Sequence, residues 1–530
     1  MNLTRIQHLV FVEERTLASK ESKMGATMTD IEKEPVAAAH IDATKHTDVT
    51  NQEVDMSIVD DPTFLKEEKK VVLKQDLVIM PCLALGLFFA YLDRGAIGNA
   101  RVLGMQDELN FTPQQFYNCV MMFYVGYMLF DLPAALALRY IKPRFVIGTA
   151  LVVFGTLAAL LAVVKSYAAI MVIRVGIGLG ECFVNVAWIF ASQWYKPSEM
   201  GLRAGLLYCM TPIAGAFSGL IAYAIGITME GRNGLNAWEW LFIVEGCMTV
   251  GFGIVVWVVF QGFPEDVARE GSWLFRSQRE RNIIRARFKL SQNIEGAKAR
   301  WHLFVLALKD PKIYAGSMIL GAQGVGIGSF SVFLPTFVRE FGFGRLQTQL
   351  ITIIPYSFAI VGLFGLSYLS DKVPRRAPMV IALLGTTATG FIILLSTTNT
   401  IALVAGSCFV AGGAYPCLVI SVAWTITLHG GYTKRATATT ASSIVIQGLS
   451  MVSSQVYRHP PRFFLGHGFS LGVYLVSMCT AYWLYRHVIR ENRKREQTRQ
   501  EWAARGEINP LSSKTFEDLG DFHPDYRYTL

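Results

Sequence analysis

Apolar tracts of about twenty residues follow one another along most of the chain, separated by short polar connections. They fall near residues 77–100, 114–138, 145–164, 168–194, 203–228 and 238–263. Six more fall near 313–338, 348–370, 377–396, 400–428, 436–456 and 468–489. A helix needs about 20 apolar residues to cross a bilayer, and a lone segment in lipid satisfies its backbone only as a helix. The pattern predicts an all-α polytopic membrane protein: twelve transmembrane helices in two six-helix bundles. Their glycines ("RVGIGLGE", "GAQGVGIGSF", "VAGGAYP") allow close helix approach.

The polar remainder orients the molecule. Residues 1–75 are polar and aperiodic, which predicts a disordered tail. A charged stretch with helical periodicity, 264–312, joins the first bundle (76–263) to the second (313–490), and a polar tail (491–530) follows. Connections on the side of that stretch carry Arg139, Lys142 and Arg144, Lys196 and Arg203, Lys372, Arg375 and Arg376, or Lys434 and Arg435. The opposite ones are poorer, and Thr397–Asn399 has no charge. The bias of Lys and Arg toward the cytoplasm then places both termini and the central loop inside, with the plasma membrane as the expected location.

Composition excludes other classes. The chain is 52% hydrophobic and 17% charged, against about 25% charged in an average globular protein. Its net charge of +9 is spread over separate loops, so no nucleic-acid partner is expected. Eight cysteines all lie in apolar tracts without a CxxC pair, so no disulfide, metal or cofactor site is expected. No nucleophile–base arrangement points to an enzyme. Asn110-Phe111-Thr112, in the first outward connection, makes Asn110 a candidate glycosylation site.

The candidate chemistry lies in charges inside the tracts. Sixteen uncharged residues, Leu77 to Leu92, lead into Asp93 and Arg94. A helix continuing through Ala96, Ile97 and Ala100 buries both, and buried charge is costly and usually functional. Arg174 and Glu181 are seven residues apart in the fourth tract, on one face and roughly 10 Å apart along the axis. An Arg in an apolar cavity is a bidentate partner for a carboxylate. An acid that trades an ionic partner for a proton couples two fluxes. Two structural ion pairs would leave the same pattern. Glu245, in the sixth tract, is a second proton site or the partner of an Arg. Tyr91, Tyr124, Tyr127, Gln323, Tyr356, Trp424 and Gln447 are candidates to line a cavity, with Tyr91, Tyr127 and Gln447 taken as substrate contacts.

The loop "SDKVPRR" (Asp371, Lys372, Arg375, Arg376) resembles the cytoplasmic acidic–basic motif of the major facilitator superfamily. Its first-half copy, "PAALALRYIKPR", has Leu138 where that superfamily usually has Asp. "LDRGAIGNAR", "RVGIGLGECF", "WEWLFIVEG", "FLPTFVREFGF", "GYTKRA" and "HPDYRYTL" resemble the fungal allantoate and nicotinate permease branch of the anion:cation symporter family. The resemblance covers residues 70–530. One departure is Gly448-Leu449, where the branch usually has Gly-Asn.

The resemblance implies a major facilitator fold, with Arg94 on the substrate carboxylate and Asp93 and Glu181 as proton carriers. Arg174 would hold or release an acid, and Asp371, Arg375 and Arg376 would form a cytoplasmic gate. It implies a monomer in the lipid bilayer that moves a small organic anion together with a proton, such as nicotinate, allantoate or pantothenate. Proton-antiport efflux of a secondary metabolite or drug is an alternative. A nutrient-sensing receptor on a transporter scaffold is another.

Overall fold

The computed structural model of the chain describes residues 61, 63–137, 140–196, 199–291, 301–373, 375–430, 432–458, 460–505, 509–513, 520–524 and 526–529. The expected disordered tail falls almost wholly outside the described residues. The first six spans are Phe64–Val102, Pro113–Ala137, Pro143–Leu160, Tyr167–Trp194, Met200–Thr228 and Ala237–Val259. The second six are Pro311–Glu340, Arg345–Ser370, Ala377–Ser396, Thr400–Ile426, Tyr432–Val456 and Phe464–Ala504. Counting the described residues alone, ten of these helices are long and apolar enough to cross a membrane. The eleventh is more polar, with a run of Ser and Thr. It packs against the second span across the two halves.

The first and last spans outrun their apolar tracts. The first begins at Phe64, because Phe64, Glu68, Val71 and Gln75 recur at helical spacing and are buried. Their face lies against the central segment, where Lys74 bonds Glu280 at 2.6 Å. That segment holds helices Pro264–Glu270, Gln278–Ser291 and Trp301–Leu308. The twelfth span continues to Ala504. We call the face carrying the central segment the lower face and its opposite the upper.

Glycine sets how closely the spans approach. A Cβ on Gly126 would lie 2.1 Å from the Val175 carbonyl oxygen, and one on Gly178 would lie 2.1 Å from that of Phe123. These two positions press the second and fourth spans together backbone to backbone. Gly98 does the same between the halves, 1.9 Å from the Val332 oxygen by the same measure.

Hydrogen bonds between the halves gather near the upper face. Arg339 Nη1 donates to the Val102 carbonyl at 3.1 Å, and Arg345 donates to that of Leu103. Gln114 Nε2 donates to Gln455 Oε1 at 2.9 Å. Toward the lower face the described hydrogen bond is Ser443 Oγ to Asp131 Oδ2, 2.7 Å. Among the described residues, most hydrogen bonds between the halves thus lie above.

Candidate functional site

Asp93 and Arg94 lie well inside the first span. Successive helical residues point about 100° apart, so the two side chains serve different neighbours. Arg94 turns toward the second and fourth spans and bonds Glu181. Its guanidinium lies 4.8 Å from the ring centre of Tyr91, 4.9 Å from Phe123 and 5.8 Å from Tyr127. Tyr91 is one turn before Arg94 on the same helix, and Phe123 and Tyr127 are one turn apart on the second span, so helical spacing builds this cage. Aromatic faces attract a guanidinium by about 0.5–2 kcal/mol each.

Asp93 turns the other way and is 3% exposed. Its Oδ2 accepts from Thr249 Oγ1 at 3.2 Å. One turn before Thr249 is Glu245, fully buried, whose Oε1 accepts from Ser218 Oγ at 3.1 Å. Ser218 in turn accepts from Asn99 Nδ2 at 2.7 Å. Hydroxyl groups, not an Arg, thus face these two acids in the described hydrogen bonds.

Arg174 is 1% exposed. Its Nε, Nη1 and Nη2 have no hydrogen-bond partner among the described residues, and its guanidinium lies 5.3 Å from the Phe123 ring centre. Glu181 shares its helix face, as the spacing predicts, yet bonds Arg94 in its place. Asp93, Arg94, Arg174 and Glu181 all lie in this part of the first half, and Glu181 pairs with Arg94 of the first span, a partner that spacing within the fourth span does not specify. An unpaired buried cation costs several kcal/mol. An anion placed against it would recover that cost.

Other candidates scatter. Tyr124 Oη donates to the Gly328 carbonyl across the halves at 3.5 Å, and Tyr356 Oη donates to that of Phe330 at 3.3 Å. Gln323 accepts from Tyr474 Oη at 3.2 Å within the second half. Gln447 is buried in the eleventh span, and among the described residues no hydrogen bond joins it to the charges. Trp424 is fully buried. It sits at the lower end of the tenth span and donates to the Thr529 carbonyl at 3.3 Å.

At the expected gate, Arg376 Nη1 donates to the Ala423 carbonyl at 3.1 Å and Arg375 is exposed. The Asp371 side chain lies outside the described residues, as do Leu138 and Arg139. Asn110 is exposed at the upper face, at a φ of 51°. The sequence did not flag Phe123 or Tyr415, although Phe123 stands one turn from Tyr127 in "CVMMFYVGY".

Twelve spans in two bundles around buried charges define a membrane transporter. The profile of the Major Facilitator Superfamily matches residues 83–454, and the chain belongs to that superfamily. It is similar to an uncharacterized transporter of Schizosaccharomyces pombe, 30% identical over 474 residues that span 88% of this chain and 91% of that one. It is similar also to the high-affinity nicotinic acid transporter of Saccharomyces cerevisiae, 28% identical over 468 residues that span 87% and 85%. In fold it is similar to the proton:xylose symporter XylE of E. coli, with a TM-score of 0.61, 14% identity and coverage of 77% and 94%.

Proposed function

We propose that this transporter is a proton-coupled symporter of a small organic anion, a planar carboxylate of the nicotinate kind being the best fit. The observation that carries the reading is Arg174, buried and unpartnered beside the Arg94–Glu181 pair. The pair is neutral, so the site has one cation to spare for a carboxylate. Tyr91, Phe123 and Tyr127 offer flat faces beside the Arg94 guanidinium, and Phe123 offers one to Arg174 as well, which suits a planar ring. The nicotinic acid transporter among the relatives supports the same class.

Coupling follows from competition. A carboxylate arriving at Arg174 reaches Arg94 and displaces Glu181. A buried carboxylate without its cation is costly, so Glu181 takes a proton. Loaded in this way, the site is electrically as balanced as when empty and can pass between its two orientations. Release of substrate lets Glu181 return to Arg94 and shed the proton. Asp93 and Glu245 hold the reverse side of the first span.

The lower face is assigned to the cytoplasm, from its Lys and Arg, and the protein to the plasma membrane as a monomer. Asp371, Arg375 and Arg376 are assigned to the lower gate. Asn110 then faces outward, open to glycosylation.

The test is uptake of radiolabelled nicotinate and a panel of other carboxylates by cells expressing the chain. Saturable, acid-stimulated uptake that collapses with a protonophore is expected, with carboxylates competing and nicotinamide not. Uptake indifferent to the protonophore contradicts coupling. Competition by the uncharged amide contradicts the carboxylate anchor.

A further inference from the structure

Two segments outside the charged site each bury one charge between two of the opposite sign. In the first half, Arg287 of the central segment has a side chain 4% exposed. Its Nη1 lies 2.5 Å from Glu68 Oε1 on the first span, and its Nη2 lies 2.6 Å from Glu199 Oε2 in the turn between the fourth and fifth spans. Lys196 of the same turn reaches Glu68 at 2.5 Å. Arg203, at the start of the fifth span, holds Asp76 of the first at 2.6 Å.

In the second half the C-terminal residues 520–524 and 526–529 fold back under the bundle. Asp521 is fully buried, with Oδ2 at 2.7 Å from Lys312 Nζ on the seventh span and Oδ1 at 2.6 Å from Lys434 Nζ at the start of the eleventh. Asp310 joins the cluster, 2.5 Å from Lys434 and 3.3 Å from Lys312. Tyr528 Oη donates to Asp521 Oδ2 at 2.8 Å. Asn492 takes both sides of the Tyr528 backbone at 2.9 and 3.1 Å. Tyr526 Oη donates to the Thr427 carbonyl at 2.8 Å.

The two arrangements occupy corresponding places. The seventh span is the counterpart of the first, and the turn from tenth to eleventh is the counterpart of the turn from fourth to fifth. The C-terminal segment follows the twelfth span as the central segment follows the sixth. We infer that each half carries its own strap, which ties its fourth-to-fifth turn to its first helix so that the lower end of that half moves as one rigid body. The polarity is reversed: a cation bridges two acids in one strap, and an acid bridges two cations in the other. Reversal also addresses each strap to its own half, because Asp521 placed between Glu68 and Glu199 would meet like charge. The motifs "GYTKRA" and "HPDYRYTL", which the charged site does not use, are thereby joined through Lys434, Asp521, Tyr526 and Tyr528. The inference rests on the two-body motion expected of a two-bundle transporter, and not on its substrate or on protons.

Hydrogen exchange of the purified full chain reads the straps without a substrate, so failure of the symporter reading leaves this test intact. Asp521→Asn keeps the shape and removes the charge. It should speed exchange in residues 427–436 by about tenfold or more, the scale of one charged hydrogen bond, and leave 195–203 unchanged. Arg287→Gln should do the reverse. Should Asp521→Asn not be recoverable from membranes, Tyr528→Phe removes only a hydroxyl and should speed exchange in the same residues by a smaller factor. Adding Lys434→Glu to Asp521→Lys should restore part of the protection. Wild-type exchange in 427–436 in the recovered Asp521 or Tyr528 variant, or equal loosening of both halves, would overturn the inference.

Discussion

The two halves have one architecture and opposite interiors. The first half buries Asp93, Arg174, Glu181 and Glu245 within its spans, with Arg94 beside them. In the second half, the buried Asp, Glu, Lys and Arg among the described residues sit at the lower end, in Asp310, Lys312, Lys434 and Asp521. Above them its core is polar but neutral: Gln323 with Tyr474, Ser317 with Ser442, and Ser329 with Ser453. Keeping the interior charges in one rigid body preserves their mutual geometry while the halves move. The neutral half can then change its shape, and with it the choice of substrate, without disturbing the ion pair. On the proposed function, chemistry belongs to the first half and selectivity to the second.

The largest effect should come from the unpaired cation. Arg174→Gln removes the charge but keeps a polar side chain, and should weaken carboxylate binding by roughly a hundredfold, at the upper end of the range for a charged hydrogen bond. Competition binding to purified protein measures it. An effect this large from neutral positions of the second half, and not from Arg174, would break the division.

Next comes the pH response of the two straps. Burial pushes the His429 imidazole down to about 4, with the Lys434 charge acting the same way. Lys312, Asp310 and Asp521 are the other charged groups around it. The unfolded imidazole takes its proton near pH 6.5. The folded state therefore binds fewer protons between those values, and stability falls as pH drops through that window. The cost at pH 5 is about 2 kcal/mol. Burial also pushes the Asp521 carboxyl up, but Lys312 and Lys434 outweigh it and hold it well below the usual carboxylate range. Its contribution is present above the unfolded carboxylate value and survives through this window. Hydrogen exchange corrected for intrinsic rates should rise in 427–436 between pH 7 and pH 5. Residues 195–203, whose described ion-pair partners include no His, should stay flat.

A smaller change is expected from Arg94→Lys, which keeps the charge beside Glu181 and loses the planar fork. Half-saturation of uptake should rise about tenfold, on the scale of one charged hydrogen bond. The smallest is Tyr415→Phe. The Tyr415 hydroxyl is buried without a partner among the described residues, and its ring centre lies 6.4 Å from that of Tyr356. Removing it should leave thermal stability unchanged or raise it by up to about 1 kcal/mol, while substrate affinity falls a few-fold. Lost stability with unchanged affinity would make Tyr415 a packing residue only.

Much of this was legible in the sequence, for identifiable reasons. Twelve apolar tracts became twelve long helices because lipid permits little else. Asp93, Arg94, Arg174 and Glu181 stood out because charge is rare in such tracts, and they do converge on one region. The partner of Glu181 was not legible, since it depends on how the first span rotates against the fourth. The extension at 64–76 was hidden because its buried face includes Glu68 and Gln75, which hydropathy counts as exposed. The straps were hidden for a related reason. Asp521 meets Lys312 and Lys434 across long sequence separations, and each alone looks like an ordinary loop charge.

In the proposed mechanism Glu181 alternates between Arg94 and a proton as substrate comes and goes. Glu181→Gln fixes the protonated form, and two measurements on that variant in proteoliposomes belong together. One is accumulation of labelled nicotinate under an imposed pH gradient, and the other is counterflow at equal pH on both sides. Accumulation should be lost while counterflow persists, because substrate still reaches Arg94 and Arg174. Accumulation against a gradient with the wild-type pH dependence would contradict that mechanism and make Glu181 a structural partner of Arg94.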